Sequence, residues 1–294
     1  MRSRNIAAAV CGVFIALAAV AASSVPCSAR SVLSTDKPVR ILAIGNSFTV
    51  DAVEQYLYEL FEAAGYEAVI GNIYIGGCTL EKHWKNESSD DPKLKNSNSY
   101  RKIVGGVRTV TKDVSIEHAL RDEAWDYVIF QQGGGLYGKT ESHYPYLDNF
   151  LAYVAGILEQ GTYRTGYQQN WAFPKSCTAE RFNFYDRDQE RMFRACMDCA
   201  RDLKKKSSLD LIIPTGTAIQ NGRQSFLGDT FNRDWGHLSY TYGRYTASCT
   251  WFEKISGLDV RENSYRPSTI DEGTARICRN AAHEAVMRPR RLTE

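Results

Sequence analysis

The sequence predicts an α/β protein: a three-layer α/β/α sandwich around a mostly parallel, five-stranded sheet. Three observations carry that expectation. Apolar runs of strand length alternate with amphipathic helical stretches, the pattern of repeated βα units. The first of these runs is apolar but for Arg40, consistent with a strand covered on both faces. Three runs end in polar or glycine-rich loops, and right-handed crossovers gather such ends along one edge of the sheet.

The elements follow in order. VRILAIG from Val39 is the first strand. It passes through GNSFT into a helix whose apolar stripe is Val53, Tyr56, Leu57, Leu60, Phe61 and Ala64, stopped by Gly65. EAVIGNIYIGG from Glu67 is the second strand and WDYVIFQQGGG from Trp125 the third. A helix over about 146–159 puts Leu147, Phe150, Leu151, Val154 and Leu158 on one face. TYRTGYQQNWAF from Thr162 is the fourth strand and LDLIIPTGTAIQ from Leu209 the fifth, with a helix carrying CMDC between them. LSYTYGRYTASCTWFEKISG from Leu238 is the last main helix. The polar stretch KNESSDDPKLKNSNSYRK from Lys85 reads as a surface loop, and the weakly patterned tail from Arg261 as chain laid over the surface. No linker divides the chain, so residues 30–294 are expected to form one domain, with a core at about 39–257 and a tail at 258–294.

The first 29 residues are read as a secretory signal: Arg2 and Arg4, an apolar run from Ile6 to Ala22, then small residues. Cleavage after Ala29 fits the small-residue rule, and cleavage after Ser23 or Ser24 also fits. The apolar run is at the short limit for a membrane span. Lipid anchoring at Cys27 is disfavoured by Pro26 before it. The chain is thus expected to be exported, to the periplasm or outside the cell, with no stable membrane span once the signal is removed. Basic and acidic residues nearly balance, 36 against 34, which excludes nucleic acid as a main partner.

Six of the eight cysteines follow Ala29. An oxidising compartment permits disulfides among them, and the pairing is not readable from sequence. Cys196 and Cys199 of CMDC fall on the buried face of a helix already under way, which favours packing over thioredoxin-like chemistry. His83 near Cys78 is too few ligands for zinc. No His–carboxylate cluster other than Asp234 and His237 stands out, so no metal is expected. A flavodoxin-like cofactor protein is a rival reading suggested by the glycine-rich strand ends. The chain lacks a phosphate loop of the Walker type and a clear Gly-x-Gly-x-x-Gly, so no cofactor is expected either.

Two stretches carry candidate chemistry. GNSFT places Ser47 where a parallel strand hands over to a helix, at the sheet edge where ligands bind in open α/β folds. The serine is either a helix cap or a nucleophile. NRDWGHLSYTYGRYTAS places Asp234 and His237 three apart after the last strand. There Asp234 can brace an imidazole whose other nitrogen faces a serine; otherwise it caps a helix starting near His237.

GNSFT resembles the Gly-Asp-Ser-Leu block of the SGNH/GDSL hydrolase superfamily, with Asn46 for the usual Asp and Phe48 for Leu. DWGH resembles its terminal Asp-x-x-His block, and IGGCT its second block, with Gly77 as the matching glycine. LAIGNSFTVDAVEQYLYEL, IYIGGC and IPTGTAIQN are similar to an uncharacterised, domain-of-unknown-function branch found in secreted bacterial proteins. The resemblance implies a flavodoxin-like SGNH fold and a serine esterase with Ser47, His237 and Asp234 as triad. It also implies an oxyanion hole from the amides of Ser47 and Gly77. One block departs. With Gly133 aligned to the glycine of Gly-x-Asn-Asp, Gly135 falls where the oxyanion Asn is expected. Gln131 or Gln132 is then the substitute, Gln132 being favoured.

Trp84, Tyr137, Tyr144, Trp171, Phe173 and Trp235 crowd the presumed edge loops. With export, they point to esterified carbohydrate, such as O-acetylated glycans, or another small-molecule ester. A lipase would call for a more apolar acyl pocket. A non-catalytic carbohydrate-binding protein is the rival from a different class, motivated by FQQGGG. The oligomeric state is not readable.

Overall fold

The computed structural model describes residues 36–159 and 161–292; the expected signal segment and Cys27 lie outside them. Its strands are β1 (Val39–Gly45), β2 (Ala68–Tyr74), β3 (Asn98–Val104), β4 (Val107–Val114), β5 (Tyr127–Phe130), β6 (Arg164–Gln168) and β7 (Leu211–Ile213). They form one sheet in the order β4-β3-β2-β1-β5-β6-β7. The expected count of five is therefore corrected to seven. The five strands read from sequence form the parallel part, β2-β1-β5-β6-β7. β3 and β4 add an antiparallel hairpin at one edge.

That hairpin overturns the reading of the stretch from Lys85 as a surface loop, because its end is β3. Its turn is Gly105-Gly106, with φ +55° and +75°, the left-handed pair that two-residue hairpins require. β4 is exposed from Val107 to Asp113, so it shows no core-facing apolar pattern. Arg108 and Lys112 along it discourage pairing with another edge.

The helices are α1 (Ser47–Val53), α2 (Leu57–Ala63), α3 (Leu80–Glu87), α4 (Pro92–Lys95), α5 (Ile116–Asp122), α6 (Tyr146–Ile157), α7 (Gln189–Lys206), α8 (Thr215–Arg223), α9 (Tyr242–Ser256) and α10 (Glu272–Met287). The single helix expected after Ser47 is broken into α1 and α2 at Tyr56, which takes φ +78°. The tail is also corrected: α10 packs Ala275, Cys278, Ala282 and Ala285 into the core against α8 and α9. Its inner face is built from small residues, which leave little apolar periodicity to read.

Alternate residues of β1 point to opposite cores. Ile41 and Ala43 face Phe48, Leu57, Phe61, Trp251 and Phe252 of α1, α2 and α9. Leu42 and Ile44 face Leu80, Leu120, Leu147 and Phe150 of α3, α5 and α6. The sheet is thus covered on both faces, as expected. Cys196 and Cys199 are both buried on α7. The six described cysteines are unpaired with one another. Among the described residues no helix is long and apolar enough to cross a membrane.

Candidate active site

The C-terminal end of β1 sets the position of Ser47. Asn46, not Ser47, caps α1: its Oδ1 accepts from the Phe48 amide at 3.0 Å. Its Nδ2 donates to Cys78 O at 2.8 Å, tying the cap to the loop after β2. Asn46 thus performs the capping an Asp would, and Ser47 Oγ is released from it. Gly133 must be glycine here, since an added Cβ would clash with Cys78 O and come within 2.6 Å of Asn46 Nδ2.

Ser47 Oγ lies 2.8 Å from His237 Nε2, and His237 Nδ1 lies 2.8 Å from Asp234 Oδ2. The structure therefore brings together the three residues singled out from sequence. Asp234 caps no regular helix, because α9 begins at Tyr242. Its Oδ1 instead accepts from the amides of Gly236 at 2.9 Å and His237 at 2.7 Å. Burial pushes the Asp234 carboxyl up, but these two amides and the His237 ring outweigh it and hold the group below its ordinary value. An ionised carboxylate only accepts, so Nδ1 carries the proton and Nε2 is left to accept from the Ser47 hydroxyl.

The segment bearing Asp234 and His237 is anchored from α1. Asp51, fully buried one turn after Ser47, accepts from the Leu238 amide at 2.8 Å and from Arg233 Nη1 at 3.1 Å. It also accepts from Arg244 Nε at 2.9 Å. Trp171 Nε1 and Asn232 Nδ2 both donate to Gly236 O, at 2.7 and 2.9 Å. Sequence reading missed Asp51. Its position four residues after Ser47 was the available signal, but its partners lie more than 180 residues away.

A cavity of about 110 Å³ opens beside Ser47 and His237. Gly77, Gly134, Gly135, Tyr137, Arg181 and Trp235 complete most of its wall. Gly77 takes φ +62° and faces open space. Its amide donates to no backbone carbonyl among the described residues. Ser47 is the first residue of α1, so its amide has no intrahelical acceptor. Larger depressions elsewhere, of about 630 and 770 Å³, contain no histidine.

Gln132 requires correction. Its side chain is buried, and Oε1 accepts from the amides of Leu80 and Gly133, both at 2.9 Å. Its Nε2 donates to Ser142 O at 3.0 Å and to Ser142 Oγ at 3.1 Å. Both donors are spent on holding loops, so Gln132 offers nothing to the cavity. Gln131 is also structural, its Oε1 accepting from the Asn46 amide at 3.2 Å. Gly134 and Gly135, at φ +67° and +77°, present main chain there instead.

Of the aromatics, Trp171 and Phe173 are buried rather than displayed at an edge. Trp84 packs edge-on against Phe150 and Tyr153, and Tyr144 meets Ser207 Oγ through its hydroxyl at 2.9 Å. Tyr137 is a buried wall of the cavity, and Trp235, 38% exposed, stands 5.6 Å from the His237 ring. His83 and His143 are buried, and burial pushes both down to about 4. His143 approaches Ser142 Oγ at 3.4 Å, but its other nitrogen meets Tyr167 Oη, not a carboxylate. The expectation of no second His–carboxylate cluster is also corrected: His283 meets Glu253 at 2.8 Å and Asp259 at 3.3 Å.

Comparison with known proteins follows this geometry. A solved DUF4886 family protein from Bacteroides uniformis is 41% identical, with a TM-score of 0.84, over 88% of this chain and 98% of its own. Two further solved structures align at a TM-score of 0.45. One is a candidate SGNH hydrolase from Slackia heliotrinireducens, 20% identical over 74% of this chain and 98% of its own. The other is an α/β hydrolase enzyme from the metagenome of Lake Arreo, Spain, 14% identical over 76% of this chain and 98% of its own. No curated protein matches the chain. The match to DUF4886, a domain of unknown function, spans residues 40–285 and meets the expectation of such a branch: the chain belongs to the DUF4886 family.

Proposed function

We propose that the protein is an exported serine esterase that removes short O-acyl groups, foremost acetyl, from carbohydrate. The observation that carries this reading is the chain Asp234–His237–Ser47, joined by two contacts of 2.8 Å at the mouth of a cavity. His237 Nε2 takes the proton of Ser47 as Oγ attacks the ester carbonyl carbon. Asp234 orients the ring and stabilises the imidazolium. The carbonyl oxygen becomes an oxyanion held by the amides of Ser47 and Gly77, at the N-terminal end of α1. Collapse breaks the ester C–O bond, and His237 returns the proton to the leaving alcohol. Water, deprotonated by His237, then releases the acid and restores Ser47.

Cavity size supports a short acyl group. About 110 Å³ is the liquid volume of roughly four waters, enough for an acetyl group and well below drug-sized pockets. That room disfavours the long chains of a lipase. Trp235 at the rim offers a ring face of the kind that stacks on sugars.

The test is labelling with a serine-directed fluorophosphonate, followed by mass spectrometry of the modified peptide. Modification of Ser47, lost in His237→Ala, is the expected result. One observation favours a second reading as a carbohydrate-binding protein: among the described residues no side-chain amide replaces the oxyanion Asn, since Gln132 is spent. Glycan binding with neither labelling nor turnover of aryl acetates would establish that reading instead. Export is checked by intact mass, which should show a chain beginning between about 24 and 31.

A further inference from the structure

The cavity wall contains one charged side chain that the proposed acyl transfer does not use. Arg181 lies in the short 3₁₀ helix Glu180–Tyr185 and is exposed. Its position is built. Phe182, next in the chain, is fully buried. The Tyr185 hydroxyl donates to Gly135 O at 2.9 Å and accepts from the Gly138 amide at 3.0 Å. These bonds fasten the 3₁₀ helix to the glycine loop after β5. The stem of Arg181 lies on that loop: a Cβ added to Gly135 would stand 2.9 Å from Arg181 Cβ and 3.5 Å from Cδ. Only a residue without a side chain admits the arginine so close to the cavity.

The charge of Arg181 is uncommitted. Among the described residues it makes no ion pair, whereas Arg191 and Arg194 nearby in sequence pair with Asp186 and Glu190. The rest of the cavity wall contains no carboxylate. Asp234 lies behind His237 and is engaged by it. Beside Arg181 in the wall is Tyr137, 1% exposed, whose hydroxyl has no hydrogen-bond partner. Burial pushes that hydroxyl well up, and the charge of Arg181 acts in the opposite sense. An arginine with no ion pair, lining a cavity whose wall has no carboxylate, is suited to an anion.

We infer that Arg181 selects esters bearing a carboxylate on the alcohol part, holding that carboxylate while Ser47 attacks the ester. The inference rests on the esterase reading and narrows its substrates to acidic esters. A planar guanidinium suits this role because it offers a carboxylate two parallel N–H donors, which lysine does not.

The test uses 4-acetoxybenzoate and its methyl ester, which differ in the distal charge, with wild type, Arg181→Gln and Arg181→Lys. The ratio of kcat/KM for the two probes should favour the carboxylate in wild type. That preference should fall roughly ten- to a hundred-fold in Arg181→Gln, the size of a charged hydrogen bond, and be partly kept in Arg181→Lys. Added salt should weaken it. In parallel, 4-hydroxybenzoate and its methyl ester are titrated calorimetrically into Ser47→Ala with and without Arg181→Gln. The acid should bind more tightly than the methyl ester, and only where Arg181 is present. Equal loss of turnover on both probes in Arg181→Gln would overturn the inference and move the arginine to the developing oxyanion. Turnover with no preference that Arg181→Gln alters sinks the arginine's role and leaves the esterase. Arg181-dependent binding of the acid without turnover of either probe sinks the esterase and leaves the arginine as an anion receptor. Neither turnover nor such binding overturns both.

Discussion

Two histidine–carboxylate pairs in this protein share an Nδ1···O distance of 2.8 Å and little else. His237 meets Asp234 at the edge of the sheet and turns its other nitrogen to Ser47. His283 of α10 meets Glu253 of α9, with Asp259 beside it at 3.3 Å, and no serine reaches it among the described residues. The carboxylates differ as well. Asp234 is held low by two amides and its histidine despite the upward push of burial. Glu253 is pushed up by burial, which outweighs the Val260 amide and His283. The difference teaches that closeness of histidine and carboxylate is not a mark of catalysis. In the proposed reaction, what matters is the partner of the second nitrogen.

The largest effect should come from removing that second partner. Ser47→Ala should lower kcat on an aryl acetate by a factor on the order of 10⁴ to 10⁶, and His237→Ala by a similar factor. The double variant should be hardly worse than either single one, because the two act as one unit. Thermal melting should show folded variants, since Asn46 and not Ser47 caps α1. A folded Ser47→Ala retaining near-normal turnover would erase the distinction between the two pairs. Asp234→Asn should cost less than either, about 10⁴-fold or below, since the ring can still sample its working orientation.

The elements of this site were unequally legible in the sequence. Ser47 and the Asp234–His237 pair could be read because each depends on a few consecutive residues: a strand end, an Asn cap, an Asp three positions before a His. The five parallel strands could be read because their apolar runs face two cores. β4 could not, because its outward residues face water and carry no core pattern. α10 could not, because alanines fill its buried face. Gln132 was misplaced because sequence puts a side chain at a strand end without saying which way it turns. Asp51 and Arg181 depend on chain brought together by the fold; the spacing of Asp51 from Ser47 does not say what it holds, and no local pattern marks Arg181.

Asp51 tests whether the Asp234–His237 pair owes its geometry to this distant anchoring. It is fully buried and holds Arg233, Arg244 and the Leu238 amide. Asp51→Asn keeps the size and removes the charge, leaving Arg244 without its carboxylate and Arg233 with only the more distant Asp234, which should cost about 3 kcal/mol of stability. In the folded variant kcat should fall by up to about 10²-fold with KM little changed, as expected when a reacting group is displaced. The KM-against-kcat split is the deciding measurement. An unchanged kcat would mean that the bonds of Trp171 and Asn232 to Gly236 hold the segment by themselves.

The smallest effect is expected at the other pair, and it has a definite sign with pH. Glu253 is buried, its Oε2 accepts from the Val260 amide at 3.0 Å, and its folded-state pKa lies above the ordinary carboxylate value. A carboxyl with a raised folded pKa contributes stability that is fully present below the unfolded value, about 4.3, and is lost as pH rises through the folded one. At neutral pH the buried charge is therefore a cost, moderated by His283. Glu253→Gln keeps an acceptor for the Val260 amide and removes the charge. The stability of Glu253→Gln relative to wild type, followed by melting, should shift in favour of the variant as pH rises from about 4 to 7, by no more than roughly 1 kcal/mol. Turnover of an aryl acetate should stay within about two-fold, because the pair has no serine to activate. A collapse of turnover in a folded Glu253→Gln variant would show that the α9–α10 pair does feed the Ser47 site, and the contrast between the two histidines would no longer hold.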